Sequence, residues 1–139
     1  MPARISSPAR SHTSSRFSLV NETSATLPRV AFRVMAAAAL GKTYRLTLVI
    51  TSAARMKKLN AIYRDKDEPT DILSFPLTAR EGEMYICLSE ARKEAGRFDR
   101  TYANFLAFLF IHGCVHLKGH DHGAIMESVE AKLRKRFKI

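Results

Sequence analysis

The stretch Ile111–Gly123, IHGCVHLKGHDHG, holds four of the chain's five histidines within eleven residues. On a helix, His112 and His116 stand one turn apart on the same face, so two imidazoles can reach one ion without bending the backbone. Gly119 supplies the stop, because glycine takes the left-handed conformation that commonly closes a helix. The chain can then turn back and bring His122 toward the first two. Three neutral imidazoles with one open position make a catalytic metal site of the zinc type rather than a closed structural one. A single histidine in an apolar helix is more often a core residue with a satisfied ring nitrogen. Several unpaired imidazoles buried beside Phe105, Leu106, Phe108, Leu109 and Phe110 would each cost roughly 1 to 3 kcal/mol unless something shared binds them. His120, nearer the helix end, is read as lining the substrate cleft. Asp121 either orients a ligand ring or caps the following helix.

Composition bounds what surrounds this segment. The chain has 139 residues, 46% of them hydrophobic, enough for one domain with a real core and too few for two. A formal charge of +10 favours a polyanionic partner, nucleic acid ahead of an anionic membrane surface. No apolar run reaches the length of a membrane span, since the longest is broken by Asn104 and then by His112. Cys87 and Cys114 are too few for a disulfide framework, which fits a reducing, intracellular compartment. Residues 1–16, MPARISSPARSHTSSR, are rich in Ser, Arg and Pro, lack acidic residues and show no periodicity. They predict a basic disordered tail, with the domain at 17–139. Such a composition also suits an organelle transit peptide, so a cytoplasmic location is expected with organellar import as the alternative.

Along the domain, Phe17 to Val20 reads as a short strand. Thr23 or Ser24 then offers an N-cap, with Pro28 in the first turn of a helix running through Ala39 and stopped by Gly41. Tyr44 to Thr51 alternates like a half-buried strand. Ser52 caps a helix through about Tyr63, with Met56, Leu59, Ile62 and Tyr63 inward. A charged loop ends at Pro69, and Ile72 to Phe75, closed by Pro76, reads as an edge or terminal strand. Glu83 to Leu88 is its neighbour. Helices follow over Ser89 to Ala95, Thr101 to Lys118 and Ala124 to the end. No GxGxxG or GxxxxGK is present, so no nucleotide cofactor is expected. The fold class is α+β: a small mixed sheet of about four strands packed with about five helices, the histidine-bearing helix central.

HGCVHLKGHDH resembles the HGxxHLxGxDH signature of the YbeY family, bacterial and organellar endoribonucleases of ribosomal RNA maturation. LNAIYRDKDEPTDILSFP, Leu59 to Pro76, is similar to the family's second block, and the resemblance extends over most of the chain from about Phe17 onward. The resemblance implies a mixed α/β fold, a zinc-type site at His112, His116 and His122, and a functional Arg64 in the cleft. It also implies single-stranded ribosomal RNA as substrate, with the ribosome or its proteins as partners. Where the family carries an aspartate in a GDI-like strand, this sequence has Gly82, Glu83 and Met84, which weakens the case for a carboxylate role there.

The residues support the same chemistry directly. A divalent ion held by three neutral imidazoles keeps its charge, lowers the pKa of bound water from about 15.7 toward 7, and polarises a phosphoryl oxygen. Zinc, one per chain, is the expected ion, with nickel or another divalent transition metal compatible with the same ligands. Arg64 and His116 are the expected catalytic residues. Arg64 presents a permanently charged fork suited to phosphate, against the alternative of a solvated loop arginine paired with Asp65 or Asp67. A zinc protease is the rival enzyme, but the glutamate that follows the first histidine in HExxH is here Gly113. A non-enzymatic rival is a basic RNA- or ribosome-binding module with a structural metal. In it, Lys132 to Ile139 would bind RNA and Phe137 would stack on a base, unless Leu133 and Phe137 pack inward at helical spacing.

Overall fold

A computed structural model describes residues 16–119 and 123–139. Residues 1–15 of the expected tail and the positions of His120, Asp121 and His122 lie outside the described residues. Among the described residues the chain forms four strands and five α-helices. They are β1 (Phe17–Asn21), α1 (Phe32–Leu40), β2 (Arg45–Thr51), α2 (Ala53–Arg64), β3 (Ile72–Thr78), β4 (Glu81–Cys87), α3 (Leu88–Ala95), α4 (Tyr102–Leu117) and α5 (Ala124–Phe137). A 3₁₀ turn, Gly96–Phe98, joins α3 to α4. The α+β class and the mixed four-stranded sheet are as the sequence predicts.

The sheet order is β1-β2-β4-β3. β1, β2 and β4 run parallel, while β3 pairs antiparallel with β4 at the edge and carries an irregularity between Pro76 and Thr78. Proline has no N–H for a ladder, which is why it is confined to an edge strand or an irregularity such as this one. Alternation along the strands divides the side chains between two cores. Leu46, Leu48, Ile50, Met84 and Ile86 face α1, α3, α4 and α5. Val49, Leu73, Phe75, Tyr85 and Cys87 pack with Met56 and Leu59 of α2 on the other face.

Three local readings change. Tyr44 to Thr51 is not half-buried: β2 lies between β1 and β4, and Leu46 through Thr51 are all buried. Helix α1 begins only at Phe32. The Thr23 hydroxyl donates to Asn21 Oδ1 at 2.7 Å and accepts the Ala25 N–H at 3.2 Å, so it builds a turn instead of a helix cap. Ile62 is 67% exposed, since the inner stripe of α2 runs through Met56, Leu59 and Asn60. The caps at Ser52 and Thr101 are present, accepting the N–H groups of Arg55 and Asn104.

Helix α4 positions the site. It buries Phe105, Leu106, Leu109, Phe110, Ile111, Cys114 and Val115, which contributes on the order of 1.5 to 3 kcal/mol for each large apolar side chain. It comes closest to the sheet at Gly113. A Cβ built there would lie 2.6 Å from Met84 Cε, 2.9 Å from Ile72 Cδ1 and 3.0 Å from Ser74 Oγ. At Gly96, by contrast, an added Cβ meets nothing within 4 Å. Gly113→Ala should therefore cost about 1 to 3 kcal/mol by overpacking, while Gly96→Ala costs none. Urea unfolding of the two variants measures this, and equal midpoints would contradict the tight approach.

Candidate active site

His112 and His116 sit in the second half of α4, where the helix crosses β3. They line a cleft of about 400 Å³ with Arg64, Thr70, Asp71, Ile72, Leu73, Ser74 and Gly113. Both imidazoles and the expected arginine thus meet in one place, although 48 residues separate Arg64 from His112 in sequence. His116 is exposed and the His112 side chain is 38% exposed. The large cost of burying unpaired imidazoles does not arise for these two. Their neighbour Cys114 is fully buried, and burial pushes its thiol far above the ordinary range, so it is neither a nucleophile nor a ready ligand.

Arg64 is the last residue of α2 and belongs to the cleft because the following loop is pinned. Asp65 takes a left-handed conformation at φ 54° and caps the helix. Asn60, 1% exposed, accepts the Lys66 N–H through its backbone carbonyl at 3.3 Å and donates its side-chain amide to the Glu68 carbonyl at 2.9 Å. The alternative pairing with Asp67 does not occur, since Asp67 lies 3.9 Å from Lys57. Arg64 forms no ion pair among the described residues, which leaves its fork directed to whatever enters the cleft.

Two carboxylates of the site were not found from the sequence. Glu130 of α5 is 7% exposed, and both its oxygens lie 3.1 Å from His112 Nδ1. A carboxylate only accepts, so Nδ1 carries the hydrogen and Nε2 is the nitrogen that would meet an ion. Arg134 Nη1 lies 3.6 Å from Glu130 Oε1 and offsets the charge of this buried group. The signal available was weak: a lone Glu on a basic helix, whose partner lies 18 positions back. Asp71 sits at the start of β3, its carbonyl accepting the Cys87 N–H at 3.0 Å. Burial raises its carboxyl above the usual value of 3.8. The backbone N–H groups of Asp71 and Ile72 and the Thr70 hydroxyl pull it down, and Glu94 pushes it up. Glu83, at the GDI-like position, is 2% exposed and accepts from the Tyr85 hydroxyl at 3.3 Å. It points to the α2 face of the sheet, away from α4, and so lies outside the cleft.

The donor set fits a divalent ion of the zinc type. Two imidazoles share one helix face, one is backed by a carboxylate, and Gly119 follows the end of α4 at φ 96°. Among the described residues no third His, Cys, Asp or Glu joins His112 and His116 closely enough to complete a metal-binding trio. The expected third ligand, His122, lies outside the described residues.

Residues 11–138 match the family described as Endoribonuclease YbeY. The chain belongs to the YbeY family. It is 35% identical over 94 residues to the Endoribonuclease YbeY of Colwellia psychrerythraea, covering 63% of this chain and 61% of that one. To the Endoribonuclease YbeY of Nautilia profundicola it is 36% identical over 91 residues, covering 63% and 66% respectively. The alignments thus span a little under two thirds of these relatives' length. The fold of this chain is similar to that of the solution structure of TM1509 from Thermotoga maritima, with a TM-score of 0.63 at 22% identity over 88% of this chain and 91% of that one.

Two outcomes follow from the carboxylates. Glu130→Ala should release His112 from its Nδ1–H form, read as a change in tautomer by nitrogen-15 NMR of the ring. An unchanged ring spectrum would remove Glu130 from the site. Because the folded pKa of Asp71 is raised, its ionisation costs stability as pH rises from the ordinary carboxylate value through the folded one. Asp71→Asn should therefore gain stability relative to the parent as pH rises above the ordinary carboxylate value of 3.8. A difference in urea midpoint that does not change with pH would contradict this.

Proposed function

We propose that this chain is a metal-dependent, single-strand endoribonuclease acting in ribosomal RNA maturation and ribosome quality control. The observation that carries the reading is one cleft holding two metal-competent imidazoles and a guanidinium with no ion-pair partner among the described residues. Membership of the YbeY family and the charge of +10 support RNA as the polyanion that enters it.

His112, His116 and His122 would hold the ion, with zinc the expected occupant and nickel or another divalent transition metal chemically acceptable. When bound, it supplies Lewis acidity to a phosphodiester and lowers the pKa of a water molecule. The protein's own groups do the rest. Glu130 holds the His112 ring in one orientation, and the Arg134 side chain restrains Glu130. Arg64 binds the non-bridging phosphate oxygens with its fork and stabilises the charge that develops on them. Asp71, held toward its protonated form by burial, offers a carboxyl in the same cleft for hydrogen bonding to the substrate.

A zinc protease reading fails on packing as well as on sequence. The position that carries the glutamate of HExxH is Gly113, where even a Cβ would collide with Met84, Ile72 and Ser74. The stacking role considered for Phe137 also recedes, because Leu133 is buried and Phe137 packs partly against the core. Ribosomal partners and a cytoplasmic location belong to the same proposal. Among the described residues no helix is long and apolar enough to cross a membrane.

The test is cleavage of a single-stranded RNA by the purified protein. Cutting should stop with a chelator, and Arg64→Glu should lower it by about 100-fold or more, as expected for loss of a group that stabilises transition-state charge, with the protein still folded. Full activity in Arg64→Glu would overturn the role of this residue. Tight RNA binding without any cutting would favour the structural-metal module.

A further inference from the structure

The cleft does not account for a cluster of aromatic and cationic side chains one helical turn before His112. We propose that Phe98, packed against Phe105 and against a Phe108 ring that carries Arg100 and Arg134, is a stacking platform for one nucleobase of the bound RNA strand. This inference rests on the RNA reading above and adds a base subsite to it.

Position supplies the first argument. Phe105, Phe108, His112 and His116 fall along one stripe of α4, at spacings of three and four residues. Phe108 precedes His112 by one turn, about 6 Å along the axis. Arg134 joins the two regions physically. Its guanidinium carbon lies 5.6 Å from the centroid of the Phe108 ring, while its Nη1 lies 3.6 Å from the carboxylate that holds His112. A strand whose phosphate lies beside the histidines passes within reach of these rings.

Ring geometry supplies the second. Phe98, Phe105 and Phe108 lie 5.2 to 5.9 Å apart, with their planes inclined by only 21° to 37°. The other aromatic pairs of the described residues cross at 58° to 88°. Phe105 is buried, and covering it accounts for one side of Phe98. Phe98 is 52% exposed, the one aromatic among the large hydrophobic side chains left open in the described residues; the others there are Leu19, Val34, Ile62 and Ile125. The three rings form a mutually packed, near-parallel cluster, and the exposed surface of Phe98 offers one more planar group an aromatic surface to pack on.

Charge selects the group. Arg100 lies 4.4 Å from the Phe108 centroid and donates to Asn104, which holds it beside that ring. Arg97 and Arg134 are nearby, against Glu94, which lies 3.5 Å from Arg97, and Asp99. Aromatic faces interleaved with guanidinium groups suit a base with its phosphate, because every base has a π-face and the backbone is anionic. The left-handed Asp99 at φ 53°, whose N–H is bonded to the Gly96 carbonyl at 3.2 Å, fixes the turn that presents Phe98.

The experiment uses 2′-O-methyl single-stranded RNA with 2-aminopurine placed at one position at a time, titrated with the parent, Phe98→Leu and Phe98→Trp proteins. The parent should quench the probe at one position. Phe98→Leu should bind about tenfold more weakly and lose the quench, and Phe98→Trp should restore both. Parent-like binding and quenching by Phe98→Leu, with RNA cleavage intact in both proteins, would overturn the platform alone. Absence of binding by the parent would sink the RNA reading and the platform with it.

Discussion

The close seating of α4 on β3 and β4 at Gly113 is the constraint from which the site follows. Because no side chain separates the helix from Met84, Ile72 and Ser74 at this point, the residues on either side of the glycine are drawn to the sheet edge. His112 and His116 then open onto the loop that precedes β3. The apolar run from Phe105 to Val115 holds the helix there, and the edge position of β3 leaves the cleft open to solvent. One buried stripe therefore anchors the element while its adjacent stripe carries the chemistry.

The polar groups of the site are held by the parts of the chain that the core fixes. Arg64 is presented by a loop tied through buried Asn60, and His112 is oriented by Glu130 from the last helix. Glu130 is in turn restrained by Arg134, which also lies over Phe108. The cleft therefore carries a permanent positive charge from Arg64, two imidazoles and the carboxyl of Asp71.

Much of this was legible in the sequence, for physical reasons. The long helix and its stop after Lys118 followed from its apolar run and from Gly119, and the two histidines one turn apart followed from helical spacing. Arg64 entered through the family resemblance, because its local sequence reads as an ordinary charged loop. The start of α1 was misplaced because Thr23 and Ser24 have the composition of a cap while the Asn21 side chain recruits Thr23 into a turn. Glu130 and Asp71 could not be read, since the partner of one is 18 residues away and the other acquires its character from burial. Nor could alternation reveal that β2 is covered on both faces, a property of strand order rather than of the strand itself.

The proposed function depends on His112, His116 and His122 holding one cation between them. The most direct measurement is the metal content of purified parent and His116→Ala proteins, by native mass spectrometry after exposure to equal zinc. The account predicts one ion per parent chain and its loss from His116→Ala with the fold retained. Equal retention of the ion by both proteins would contradict it.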